Sequence, residues 1–186
     1  MAMIAPLHED EVTPEVAHVF ARVEQEYGFV PNILRTMAHC PDLLTTFVPL
    51  WAQIYQSPTI GARLRALAAL GTAKAQECTY CVAHMTASAR KAGFGEEQIL
   101  AVGDLSVINT AFNDRESLIL ETADALTRDP DGVSDELRRR LADEFTESEI
   151  VNIVLAIGMY NLTSRFLKAL SVDVENVFTE ANSAAG

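Results

Sequence analysis

GARLRALAALGTAKAQECTYCVAHMTASARKAG, residues 61–93, decides the fold. Its first half is an Ala/Leu-rich run over 62–76 with small apolar residues on nearly every face. Such a pattern predicts a helix buried on most sides, with other helices close by. The second half carries Cys78, Cys81 and His84 at steps of three, then runs to about Ala92 before Gly93 ends it. A helix beginning near Cys78 puts both sulfurs on one first turn. Neither half shows the period-two alternation of a strand.

Working outward, the rest of the chain also reads as helices. Thr13 and Pro14 form a cap and first turn for a helix with Val16, Val19, Phe20 and Val23 on one face, ended by Gly28. "ILRTMAHC" is a short helix before Pro41, and "PDLLTTFVPLWAQIYQS" a longer one with Pro49 as a kink or joint. A short helix follows near "GEEQILAVG". Asn113 and Glu116 form a capping box at the head of "NDRESLILETADALTRD", and "DPDG" is a turn. "SDELRRRLADEF" is amphipathic. Thr146 and Glu149 form a second capping box, opening the long apolar "TESEIVNIVLAIGMYNLTSRFLKAL". The two long apolar helices echo one another weakly. The expected organisation is one helical domain over 1–186, with an arm at 1–12, a tail at 176–186 and fraying over "NSAAG".

A chain of 186 residues buries a real core without staples. Its formal charge of −12 argues against nucleic acid and anionic membrane, which need basic patches. "MAMIAPLHEDEVTPEV" has no basic and apolar leader pattern, and no run approaches ~18 apolar residues, so neither a signal peptide nor a membrane span is expected. Three cysteines, an odd number, do not read as a secreted disulfide framework. A cytoplasmic setting with reduced thiols is expected.

In that setting three readings of the cysteine stretch compete. Free N–H groups and the dipole at a helix start favour a thiolate, so Cys78 and Cys81 suit a dithiol that attacks and then resolves within itself. His84 lies near the same face and Glu77 precedes Cys78; either can assist proton transfer. A zinc site on Cys78, Cys81 and His84 lacks a fourth ligand. Buried packing without chemistry is the third reading. Cys40 reads as packing, and His8, His18 and His39 carry no role. No cofactor and no metal is expected.

"GFVPNILRTMAHCPDLL", the Ala/Leu helix into "ECTYCVAH", "ESLILETADALTRDP" and "FTESEIVNIVLAIGMYNLTSRFLKALSV" together resemble the carboxymuconolactone decarboxylase superfamily, in its alkylhydroperoxidase D-like (AhpD-like, peroxidase-related) branch. The resemblance spans about residues 12–175. It implies an all-α helical bundle with a duplicated helical core, homo-oligomers (dimers, trimers or hexamers), and thiol-dependent peroxidase or disulfide reductase activity recharged by an external thiol reductant. By position it implies Cys81 as the attacking thiolate and Cys78 as its resolving partner.

Two relay positions of that branch differ here. A histidine is expected four residues after the second cysteine, where Met85 stands; His84 sits one earlier. A step of three turns about −60° from Cys81 and a step of four about +40°, so His84 flanks the site from the other side. A glutamate is expected twelve residues before the first cysteine, where Ala66 stands beside Arg65. Arg63 or Arg65 would have to reach Cys81 to lower its pKa instead. Tyr80 is expected at a pocket wall or subunit contact, and Asn161 and Arg165, four apart on one face, in structural pairing with a neighbouring helix. The rival readings are a lactone decarboxylase without thiol chemistry and a non-catalytic helical oligomer.

Overall fold

The computed structural model describes residues 2–129 and 131–178. Among them are ten α-helices, one short 3-10 turn (Glu9–Glu11) and no strand. The all-α expectation therefore holds. Residues 182–186, expected to fray, and Pro130 of the "DPDG" turn lie outside the described residues.

The chain divides into two compact units, one of residues 1–53 and 166–186 and the other of residues 54–165. The first unit holds α1 (Pro14–Tyr27), α2 (Asn32–Met37) and most of α3 (Pro41–Gln56). Thr13 caps α1 through its side chain, and Gly28 ends it at φ 85°, a left-handed conformation that costs a glycine nothing. Val16, Phe20, Val23, Val30, Leu34, Ala38 and Leu44 form its core. The N-terminal arm is tied down: Arg35 donates to the Leu7 carbonyl and pairs with Glu9 at 2.6 Å.

Pro49 sits inside α3 without ending it. Cys40 is exposed, not packed as expected. Its carbonyl accepts from the amides of Leu43 and Leu44, so it occupies the turn that starts α3, where the side chain faces out.

The second unit is built on α4 (Gly61–Ala75), which packs mainly against α8 (Asp114–Arg128) and α5 (Thr79–Lys91). Residues 66–73 of α4 are all buried, as the Ala/Leu run predicts. Close approach explains the small residues: a Cβ at Gly71 would stand 3.1 Å from Leu120 and 3.2 Å from Ala123 of α8. Three short or medium helices complete this part, α6 (Glu96–Ala101), α7 (Ile108–Ala111) and α9 (Asp135–Glu144). The sequence reading missed α7.

Both predicted capping boxes form. Asn113 and Glu116 exchange backbone-to-side-chain bonds at the head of α8. Thr146 and Glu149 do so at the head of α10 (Glu147–Leu170). By length and composition α10 is apolar enough to cross a membrane, but 44% of its most apolar window is buried inside the protein. Buried polar side chains such as Ser164 and Thr163 face inward on it, which is the pattern of a core helix.

Candidate active site

The turn between α4 and α5 places the sulfurs. The Cys78 amide donates to the Ala73 carbonyl and the Glu77 amide to the Lys74 carbonyl. This is the paired bonding of a Schellman motif, which requires a left-handed residue at Glu77. Glu77 has φ 53°, without the relief glycine would give. The chain thus leaves α4 and starts α5 with Cys78 as its N-cap. Cys78 Sγ accepts from the Cys81 amide at 3.3 Å, one of the bonds that a helix start leaves unmade.

Cys81 lies one turn further on. Its Sγ stands 3.2 Å from Ser164 Oγ of α10. Both cysteines are free thiols, with exposures of only 2% for Cys78 and 4% for Cys81. The side-chain hydrogen bond with Cys78 and then burial push the Cys81 thiol well above its ordinary range, while the bond to Ser164 pulls the other way. Ionisation of Cys81 is thus opposed by its surroundings, while Cys78 Sγ meets the Cys81 amide.

His84 stacks flat on Tyr80, with ring centroids 4.5 Å apart and planes 12° apart. The imidazole thus packs over the residue between the two cysteines, and Tyr80 itself is buried. Glu77 is exposed. Among the described residues no group of three or more His, Cys, Asp or Glu side chains converges as a metal site.

The relay positions are filled differently from the expected pattern. Tyr55 Oη donates to Met85 Sδ at 2.7 Å, so a phenol stands against the residue in the histidine position. Tyr55 also packs against Tyr160 of α10, with centroids 5.6 Å apart. The Tyr160 hydroxyl is buried and has no hydrogen-bond partner.

A cleft of about 190 Å³ is lined by Tyr55, Arg65, Ala66, Ser88, Lys91 and neighbouring alanines. Cys81, Met85, Ser88 and Ala92 fall at helical spacing along one stripe of α5, so the cleft lies on the sulfur's own face with Met85 between.

The two arginines do not serve the sulfurs. Arg63 pairs with Glu116 at 2.9 Å and lies 3.8 Å from the Phe94 ring centroid. Arg65 donates to the Ser57 carbonyl, and burial lowers its pKa. Arg63 is recruited by a partner 53 residues away and Arg65 by a carbonyl eight residues before it, neither of which the spacing to Cys81 reveals. Of the two residues expected to pair with a neighbouring helix, Asn161 does so, its Nδ2 donating to Thr127 of α8, while Arg165 donates to Asn161 Oδ1 at 2.7 Å within α10. Asn161 Oδ1 also accepts from Gln76, the last residue before Glu77, which pins the entry to the cysteine turn to α10.

Sequence reading missed Ser164 and Tyr55. A hydroxyl in the middle of an otherwise apolar helix is a signal for the first. Nothing local marks the second.

Residues 41–116, which contain α4, the turn and α5, match the model of the carboxymuconolactone decarboxylase family. Over that stretch the chain is similar to the carboxymuconolactone decarboxylase family. Its fold is that of the AhpD-like branch. The AhpD core of a peroxidase-related protein from Ralstonia eutropha superposes with a TM-score of 0.82 at 19% identity, covering 95% of this chain and 94% of that one. The debrominase Bmp8, as a variant in complex with 2,3,4-tribromopyrrole, gives 0.84 at 23% identity over 100% and 98% of the two chains. The uncharacterized protein YnjA of Escherichia coli is 29% identical over 156 residues, 82% of this chain and 84% of that protein. The likeness to the family thus covers the stretch that carries the dithiol.

Proposed function

We propose that this protein is a thiol oxidoreductase that reduces a small hydroperoxide or a disulfide through Cys81 and Cys78. The observation that carries the reading is the sulfur pair itself. Two free thiols share one helical turn, and Cys78 Sγ caps the helix by accepting from the Cys81 amide. Cys81 attacks the terminal oxygen of the hydroperoxide. An S–O bond forms, the O–O bond breaks, and an alcohol leaves with a proton from solvent. Cys78 then attacks the Cys81 sulfenic acid, giving a Cys78–Cys81 disulfide and water. A thiol reductant of unknown identity reopens the disulfide, in the reducing cytoplasm. His84, stacked over Tyr80, is the helper that passes these protons to and from solvent; exposed Glu77 has a weaker claim.

Deep burial of both sulfurs favours small oxidants. Met85 and Ala66 stand where the branch's relay acids and bases are expected, so turnover is slow relative to a complete relay, whose assistance is typically worth 10²–10⁴-fold.

A second reading, reductive debromination of a small heteroaromatic ring, is favoured by the likeness to Bmp8. There the same dithiol would supply two electrons: R–Br and two thiols give R–H, bromide, a proton and the disulfide. Bromide release from a brominated pyrrole separates it from the first reading.

The protein also assembles with copies of itself in this reading. Val151, Val154, Leu155 and Leu162 form an exposed apolar stripe along one face of α10, and a Cβ at Gly158 between them would meet open space. Light scattering on the parent and on Leu155→Glu tests it; a parent that runs as a monomer excludes it.

Thiol titration before and after stoichiometric peroxide, with mass spectrometry to place any new bond, tests the enzyme reading. Loss of two thiols at Cys78 and Cys81 supports it. Full retention of both under peroxide, and under disulfide and bromopyrrole substrates, leaves a non-catalytic oligomer. Muconolactone turnover unaffected by thiol alkylation points instead to the decarboxylase reading.

A further inference from the structure

Ser164 is fully buried on α10, and its Oγ lies 3.2 Å from Cys81 Sγ. Four other buried helical hydroxyls behave differently. Thr36, Thr72 and Thr122 each donate to the carbonyl four residues earlier in their own helix, and Thr163 to the one three residues earlier. Those bonds are local satisfaction and nothing more. Ser164 makes no such return bond. A buried O–H left without an acceptor costs about 1–3 kcal/mol. The acceptor at hand is Cys81 Sγ, so donation to the sulfur is what satisfies the Ser164 hydroxyl once that sulfur gives up its own proton.

We propose that Ser164 is the hydrogen-bond donor that holds the negative charge on Cys81 Sγ when that sulfur attacks. The assignment rests on the reading of Cys81 as the attacking sulfur. A thiolate is a far better acceptor than a thiol, so this bond strengthens as the proton leaves, and hydrogen bonds to charged groups are about twice as strong as neutral ones. The other supports that the sequence offered are engaged elsewhere or replaced: Arg63 on Glu116, Arg65 on Ser57, alanine at 66 and methionine at 85. Burial and Cys78 oppose ionisation of Cys81, and the bond to Ser164 opposes them. Ser164 keeps its own proton throughout. The proton of Cys81 goes to solvent base, and the leaving alkoxide is protonated from solvent.

The test needs no substrate. In a Cys40→Ser, Cys78→Ser background, Cys81 is the one remaining thiol, and its ionisation is followed by the ultraviolet absorbance of the thiolate against pH. Ser164→Ala, in that background, is expected to leave about 10-fold less thiolate at any pH below the midpoint, from a charge-assisted bond of about 1.5 kcal/mol. Ser164→Thr, which keeps the hydroxyl, is expected to recover most of it. A helical spectrum and melting transition matching the parent certify the fold. An Ala variant that is folded and titrates as its parent does overturns the proposal, as does a Thr variant that behaves like Ala while folding normally. If the titration shifts as expected but peroxide leaves the parent's thiols untouched, the hydrogen-bond assignment stands and the oxidoreductase reading falls.

Discussion

Two buried polar clusters of the same unit solve opposite problems. At the head of α8, Glu116 is 5% exposed and is met by the Arg63 guanidinium, while its backbone and side chain close the capping box with Asn113. Every part of that charge has a partner of opposite sign or a backbone donor. At the head of α5, Cys78 and Cys81 are buried as deeply, and they meet a backbone amide and the buried Ser164 hydroxyl of α10. The first cluster matches opposite charges and backbone donors and holds the fold together. In the second, Cys81 resists ionisation, so its charge appears only when chemistry calls for it. Burial alone does not distinguish a structural polar cluster from a reactive one; the sign of the neighbours does.

The sharpest way to break the comparison is to remove the reacting atom. Cys81→Ser is expected to abolish peroxide-driven disulfide formation, to background, with the helical spectrum retained. Retained two-thiol loss under peroxide in this variant would mean that Cys78 works with another partner.

Next in size is the response to pH. The folded Cys81 thiol is raised above the ordinary 9.0. Its thiolate fraction, and with it the oxidation rate, should rise about tenfold per pH unit through neutrality and not level off below about pH 9. The same shift has a stability consequence. Below the unfolded value both states hold the proton and the contribution is fully present. Above it the unfolded chain ionises while the native one resists, so stability is lost as pH rises. A denaturant series from pH 7 to pH 10 on the parent and on Cys81→Ala isolates this term. A rate that plateaus near neutrality would mean a cation or helper has lowered the thiol after all.

Glu116→Ala probes the other side of the comparison. It removes the cap partner and strands Arg63, and is expected to cost about 2 kcal/mol of stability with the oxidation rate changed less than about twofold. Chemical denaturation and a peroxide time course together check it. A large loss of rate at unchanged stability would show that the two clusters are coupled.

The smallest effect concerns the hinge residue. Glu77 holds a left-handed conformation, so Glu77→Gly should gain about 0.5–1 kcal/mol of stability. If oxidation slows by more than a few-fold as well, the exposed carboxylate assists the chemistry.

Much of this was legible in the chain. The Ala/Leu run, the two capping boxes, the Thr13 cap and the stop at Gly28 are local signals, and each formed where the pattern placed it. The cysteine pair on one turn was legible for the same reason. What escaped was set by contacts distant in sequence. Ser164 meets Cys81 across 83 residues, and Arg63 is drawn to Glu116 across 53. Four-residue α7 has no side-chain cap to announce it. Cys40 was judged by the usual burial of its residue type, whereas its place is set by the turn that opens α3.

One atom carries a double duty. Cys78 Sγ is the capping acceptor of α5, bonded to the amide of the very residue it is poised to join. A sulfur bonded to another sulfur is a poor acceptor, so withdrawing two electrons from the pair also uncaps the helix. The order of that first turn is then a gauge of the protein's oxidation state, readable amide by amide in hydrogen exchange.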